Sequence, residues 1–467
     1  MMKIKYLFVA LALATALLAH AELQFTGNTH QVYEETPAAN TGLNRVYVLY
    51  STDGVGITYT ADTENPVTWY TYGEMGGGYA EELTTVQHEG LTTSIAQLIP
   101  NKGYIIEEGT SRFYFWVTDY SGFRLSLTSA SVESDGDCGT ATIHVEGLCP
   151  DIVYYTITGV RTVLDRGLTL RYNNLVWGGD ITNGNEEDEE EEAEPDMHWL
   201  EQEIVEPLAS FKNAIAIPAP TLNTTFTVSG DKFLQLWEGQ AQSVETGMYS
   251  TAAIDVRTIV VQEDKEHDNE KKLGGETLGG SAPAHITFTA LCTDAVVHKE
   301  WQMSRDIEFN DVELRLNQEE VDQVFEDAGI SYWRFYATNA AGTCEWYSDV
   351  YTVNIGESEL VCPNVFTPGT SEGVNDIWKV SYRSIVKFHC CIFNKWGNMI
   401  TEFSEPWQGW DGTYRGKQCP AGAYYYVIQA EGSDGKKYKL SGDINIIRYK
   451  RIDHGTSGDG TIISGGE

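Results

Sequence analysis

Short runs of β-branched and aromatic residues, broken every few positions by Gly, Asn, Asp or Pro, recur along most of the chain. That pattern predicts strands and turns rather than helices, because side chains on a strand alternate between two faces while Gly and Pro reverse the backbone. Strands are expected at residues 45–50, 56–60, 67–72, 104–107 and 112–118, enough for one Ig/PKD-like β-sandwich over 22–128. The aromatic run Phe113-Tyr114-Phe115-Trp116-Val117 reads as a core strand turning at 119–122, and such a stripe serves packing rather than ligand binding. A second β-rich domain is expected over 129–262, with strands at 141–145, 152–158, 168–172, 214–217, 224–228 and 254–261. Residues 263–280, charged and then glycine-rich, read as a linker or long loop. A third Ig/PKD-like sandwich follows over 281–356, with strands at 285–291, 298–303, 331–338 and 350–355, and with Trp301 nine residues past Cys292. The fold class is therefore all-β, with sandwiches in tandem.

Two segments stand outside this pattern. Lys3 and Lys5 precede the apolar run 6–18, and Ala19-His20-Ala21 offers small residues for cleavage, so 1–21 reads as a signal peptide. Residues 183–196 hold seven adjacent carboxylates at 186–192, which repel one another and predict a solvated acidic loop inserted in the second domain. A calcium loop would need oxygens alternating along a fixed turn, and a contiguous run lacks that spacing.

Charge narrows the function further. The formal net charge is −37, and loss of Lys3 and Lys5 with the leader would take it to −39. A balance this acidic argues against nucleic-acid binding, which needs clustered Lys and Arg. No HExxH, GxSxG, P-loop or dinucleotide glycine pattern occurs, and the ten histidines are scattered. His198 beside Trp199 and His298 near Trp301 read as strand or loop residues, and 135–137 and 432–435 as turns. No catalytic residue, metal ligand or cofactor is predicted.

The chemistry-bearing signal lies in 361–448. Pro363, Asn364, Phe366 and Pro368 open a series continued by Gly373, Asn375 and Asp376, then by Phe393, Asn394, Trp396 and Gly397. Gly409, Trp410, Asp411 and Gly412 follow, and Pro420, Gly422 and Tyr424 close it. Pro and Gly suit chain reversals, Asn and Asp bond their own turns, and the aromatics suit a small core.

This ordered series is similar to the gliding-motility-associated, type B C-terminal sorting domain of type IX secretion cargo from Bacteroidota. The resemblance implies an Ig-like sandwich, export by the type IX translocon to the cell surface, and docking on a PorP/SprF-type outer-membrane protein. The family usually ends near its last strand, whereas here a Gly- and Ser-rich tail occupies 449–467.

Eight cysteines in an exported chain favour disulfides. Cys138 and Cys149 flank one strand and Cys292 and Cys344 bracket the third sandwich, giving two expected pairs. Cys390 and Cys391 should face opposite ways and take different partners, with Cys362–Cys390 and Cys391–Cys419 favoured. The functional expectation is a non-enzymatic surface protein: an adhesin, a scaffold or an accessory subunit docked on the outer membrane. A structural component of the secretion or gliding machinery is the alternative, and a secreted hydrolase is the third reading.

Overall fold

The computed structural model describes residues 22–448 except 134–135, 137, 180–196, 266, 274, 276 and 371–372. The expected signal peptide, the acidic loop and the tail from 449 lie outside the described residues. The fold is all-β, and the chain divides into two compact units: Met1–Gly178 with Leu200–Thr251, and Gly179–Trp199 with Ala252–Glu467. Among the described residues no helix is long and apolar enough to cross a membrane.

In the first unit, a six-stranded sheet holds Tyr33–Glu35, Arg45–Leu49, Ser111–Asp119, Lys102–Glu108, Val67–Tyr72 and Glu81–Glu82, in that order. A four-stranded sheet faces it, and Ile57, Trp69, Tyr104, Phe115 and Val117 fill the space between. Strand alternation explains why Phe115 and Val117 enter this core. Trp116 points the other way, yet it is equally buried, in a second core with Ile152, Tyr154, Leu168 and Phe233. The strand Ser111–Asp119 is therefore packed on both faces, which is why its aromatic run has no polar alternate positions.

The region after Ser126 adds a three-stranded sheet and a four-stranded sheet around Ile143, Leu170, Phe226 and Val228. It also contains a helix that strand grammar does not foresee, Lys232–Glu238, capped by Asp231 and ended by Gly239 in the left-handed region. Asp231 Oδ1 accepts the Leu234 N–H at 2.9 Å, the usual N-cap arrangement.

In the second unit, Val256–Gln262, Ala284–Cys292 and Glu320–Phe325 form one sheet of a sandwich. The second sheet is centred on Gly329–Asn339, and Phe288, Trp301, Trp333 and Phe335 are buried between the two. Two sequence expectations change here. The strand expected at 254–261 pairs along Ala284–Cys292, so it belongs to this sandwich and not to the preceding domain. Residues 263–280 are not a free linker. Leu278–Gly280 pairs in parallel with Tyr351–Ile355, and Asn269 Nδ2 donates to the Val380 and Pro406 carbonyls at 2.8 and 2.9 Å. His267 stacks on Trp407 with ring centroids 4.7 Å apart.

Disulfide pairing also departs from expectation. Cys149 and Cys292 carry free thiols, so Cys138–Cys149 and Cys292–Cys344 do not form. The third sandwich is held by its aromatic core instead: Trp301 lies 5.3 Å from Phe288 and 5.1 Å from Phe335, centroid to centroid. Burial pushes the Cys292 thiol up to about 11, with nearby Glu319 adding to the effect.

Candidate functional site

The C-terminal module is a five-stranded sheet in the order Val365–Phe366, Lys437–Ile446, Gly422–Gly432, Ile385–Phe393, Met399–Phe403, edged by two-stranded ribbons. Each sequence motif folds into a turn or a core plug of this module. Val365–Phe366 runs parallel to Asn445–Ile446, and the Asn364 carbonyl accepts the Asn445 N–H at 2.9 Å. The Pro363 carbonyl accepts the buried Trp378 indole N–H at 2.7 Å. Asp376 clamps the turn before it, its two oxygens accepting the Gly369 and Gly373 N–H groups at 2.8 Å each. Asn375 and Gly373 both take positive φ in this turn, and the Asn375 carbonyl accepts the Thr367 N–H at 2.9 Å.

The remaining motifs repeat this logic. Asn394, just past Phe393, uses one side-chain oxygen to accept the Trp396 and Asn398 N–H groups at 3.0 Å, and Gly397 completes the hairpin at φ +81°. Asp411 binds Thr413 through its N–H at 2.9 Å and its hydroxyl at 2.8 Å. Gly409 and Trp410 pair with Trp378–Lys379, and Trp410 packs against Phe366 at 5.4 Å and Tyr424 at 5.0 Å. Gly412 lies against Pro368, whose Cγ would stand 2.9 Å from an added Cβ. The Tyr424 hydroxyl donates to the Pro420 carbonyl at 3.1 Å, and burial, then Cys419, pushes its pKa up to about 12. Gly422, at φ +142°, opens the strand that follows.

What the motifs leave to solvent is more informative for binding. Trp396 is 74% exposed at the tip of its hairpin. Beside it lies an open groove of about 630 Å³, lined by Trp396, Tyr414, Tyr425, Lys395, Lys417 and Gln418 among others. Its described lining contains no carboxylate, although the chain carries 68 Asp and Glu against 31 Lys and Arg. Sequence reading picked out Trp396 as a motif residue but missed this local basicity, because Lys395 and Lys417 come from different hairpins.

The four cysteines of the module are free thiols, so neither Cys362–Cys390 nor Cys391–Cys419 is formed. Alternation along Ile385–Phe393 buries Cys390 completely and turns Cys391 toward solvent, while Cys419 sits in the core. That separation rules out the second pair without rearrangement. Burial, then the neighbouring Cys362, pushes the Cys390 thiol up to about 12.

Residues 360–446 match the CHU_C type IX secretion signal domain, and residues 129–246 match the Fn3_FA fibronectin type III domain. No curated protein matches the chain. Several solved structures align with parts of the chain. The three N-terminal domains of the bacteriophage RB49 highly immunogenic outer capsid protein share 10% identity at TM-score 0.21, covering 70% of this chain and 100% of that one. A Ca2+-stabilised adhesin with which an Antarctic bacterium binds ice shares 10% identity at TM-score 0.18, covering 90% and 100%. Dimeric latent PorU from Porphyromonas gingivalis shares 7% identity at TM-score 0.17, covering 72% and 35%. The chain thus carries a type IX secretion signal domain at residues 360–446, behind Ig- and fibronectin-like β-sandwiches, and is a secreted surface protein handled by the type IX system.

Proposed function

We propose that this protein is a non-enzymatic adhesin or scaffold held at the outer membrane through its C-terminal module. The observation that carries the reading is the module itself: five spaced motifs fold into one sandwich that leaves a basic, aromatic groove exposed. The occupant is an acidic segment of a PorP/SprF-type outer-membrane protein. Charge complementarity favours it, since Lys395 and Lys417 stand on the groove with no lining carboxylate to neutralise them. Residues 22–356 then carry the binding role on the cell surface.

The test compares whole cells producing the chain with and without 361–467. Surface proteolysis should reach the full chain and miss the truncated one, and only the full chain should capture an outer-membrane barrel protein. Unchanged display and capture without that segment would sink the reading. Capture that survives deletion of 22–356, together with loss of secretion of other cargo, would instead mark a component of the secretion machinery.

A further inference from the structure

The solvent face of the C-terminal sheet carries a side-chain group that neither the motifs nor the groove uses. His389 and Cys391 are two residues apart on Ile385–Phe393, so they share the outer face while Cys390 and Ile392 point into the core. Glu402 stands directly opposite Cys391 on the neighbouring strand Met399–Phe403. The three ligand atoms lie within 4.8 Å of one another. His389 Nε2 is 3.4 Å from Glu402 Oε2, and Cys391 Sγ is 3.9 Å from His389 Nδ1 and 4.0 Å from Nε2.

These separations can be set against a metal. With bonds of about 2.3 Å to sulfur and about 2.0–2.1 Å to nitrogen or oxygen, a tetrahedral zinc places N and O roughly 3.3 Å apart and S and N roughly 3.6 Å apart. The observed spacings approach those values, and side-chain rotation alone can close the remainder. We propose that His389, Cys391 and Glu402 form a three-ligand site for a borderline-soft divalent cation, Zn2+ before others, with a fourth position open to water or to a donor from a partner. The donor set selects the ion, because a thiolate with an imidazole disfavours Mg2+ and Ca2+, which take oxygen.

The surroundings suit a cation. The ligand-bearing strand is paired on both sides, with Met399–Phe403 and with Gly422–Gly432, so the ligands are spaced by a rigid sheet. Across from His389 and Cys391 on that second strand stand Gln429 and Val427, neither of them charged. The nearby Lys387 is engaged by Glu431 at 3.0 Å. His389 and Glu402 are 53% and 57% exposed, so an ion can enter from solvent. Binding forms the metal–sulfur bond and breaks the S–H bond of Cys391, releasing that proton to solvent. The site would stand even if the module does not dock as proposed above.

The experiment is a Co2+ titration of the full-length chain, its free thiols protected from oxidation and its disulfide left intact, followed by displacement with Zn2+. The wild-type chain should develop a near-ultraviolet thiolate-to-cobalt charge-transfer band that saturates at a single equivalent and is bleached by Zn2+. Cys391→Ser should abolish the band, whereas Cys149→Ser, in the other unit, should keep it. Losing an outer-shell partner alone typically costs roughly 10–100-fold in metal affinity. His389→Ala and Glu402→Gln, which remove ligands, should each weaken Zn2+ by at least that much with an unchanged thermal midpoint. No band in the wild type, a band that survives Cys391→Ser, or wild-type affinity in either ligand variant would overturn the site.

Discussion

Asp231 is fully buried, and its charge is met by two residues distant in sequence and by the start of the helix that follows it. Arg166 Nε donates to Oδ2 at 2.9 Å, the Tyr120 hydroxyl donates to the same oxygen at 2.9 Å, and Oδ1 caps the helix Lys232–Glu238. Arg166 is itself only 6% exposed, so removing Asp231 would strand a buried cation. Asp231→Ala should therefore destabilise its unit by about 3–5 kcal/mol, the usual cost of breaking a buried pair from one side. Chemical denaturation measures this, and a loss below about 1 kcal/mol would show that water reaches Arg166. Asp119 offers a pH-dependent counterpart. Its partial burial acts to raise the carboxyl pKa, but hydrogen bonds from Ser121 and Thr52 outweigh it, so the folded pKa lies below the ordinary range. A depressed carboxylate contributes stability above its unfolded pKa and loses it as pH falls through the folded one. Asp119→Asn should flatten the acid limb of the stability–pH curve. Neither network was legible beforehand: Asp119 read as a turn residue, and such a reading does not say which distant residue arrives beside it.

Elements were legible where one periodicity governed them. The strand expected at 67–72 is observed as Val67–Tyr72, and the one at 112–118 as Ser111–Asp119. The helix Lys232–Glu238 was missed because it is a single short segment, although its signals are present in hindsight: Asp231 as cap, Gly239 as stop, and Phe233, Leu234 and Trp237 on one side. Residues 263–280 misled for a different reason. Their mixed charge and glycines resemble a linker, yet Lys271 pairs with Glu359, and Lys379 with Asp268 at 2.7 Å, so polar side chains tie the segment down. In the C-terminal module the glycine motifs were legible as turns, but they are not equivalent. A Cβ on Gly409 would stand 2.5 Å from Ile377 Cγ2 and 2.7 Å from the Trp378 carbonyl oxygen, whereas Gly397 faces open space at φ +81°. Gly409→Ala must displace packed neighbours and should cost about 1–3 kcal/mol. Gly397→Ala meets only the strain of the left-handed backbone, about 1–2 kcal/mol, with no packed neighbour to displace. Thermal unfolding should rank them in that order, and the reverse ranking would mean that the ribbon carrying Gly409 yields easily.

At the scale of the whole molecule, the charge distribution is the feature that composition hides. A chain at −37 is repelled by anionic surfaces and by acidic partners alike, except where its positive residues gather. The groove beside Trp396 is such a place, with Lys395 and Lys417 on its lining and Tyr414 and Tyr425 supplying apolar faces. Lys395 lies over the Trp396 ring at 4.6 Å, so the exposed indole and the charge form one surface. Complementarity of this kind mainly sets encounter rate and orientation, and it weakens as salt screens the charges. The Lys395→Glu, Lys417→Glu double variant should therefore lose capture of the outer-membrane partner at low salt, where the wild type captures best. Trp396→Ala should weaken capture at every salt concentration, because what it removes is apolar contact. Both changes are at exposed positions, so the thermal midpoint should stay within a few degrees, about the shift expected of surface substitutions. Pull-downs from outer membranes across a salt series separate the two effects. If the charge-reversed chain is captured as well as the wild type at low salt, the acidic occupant is wrong and docking runs over another face of the sheet.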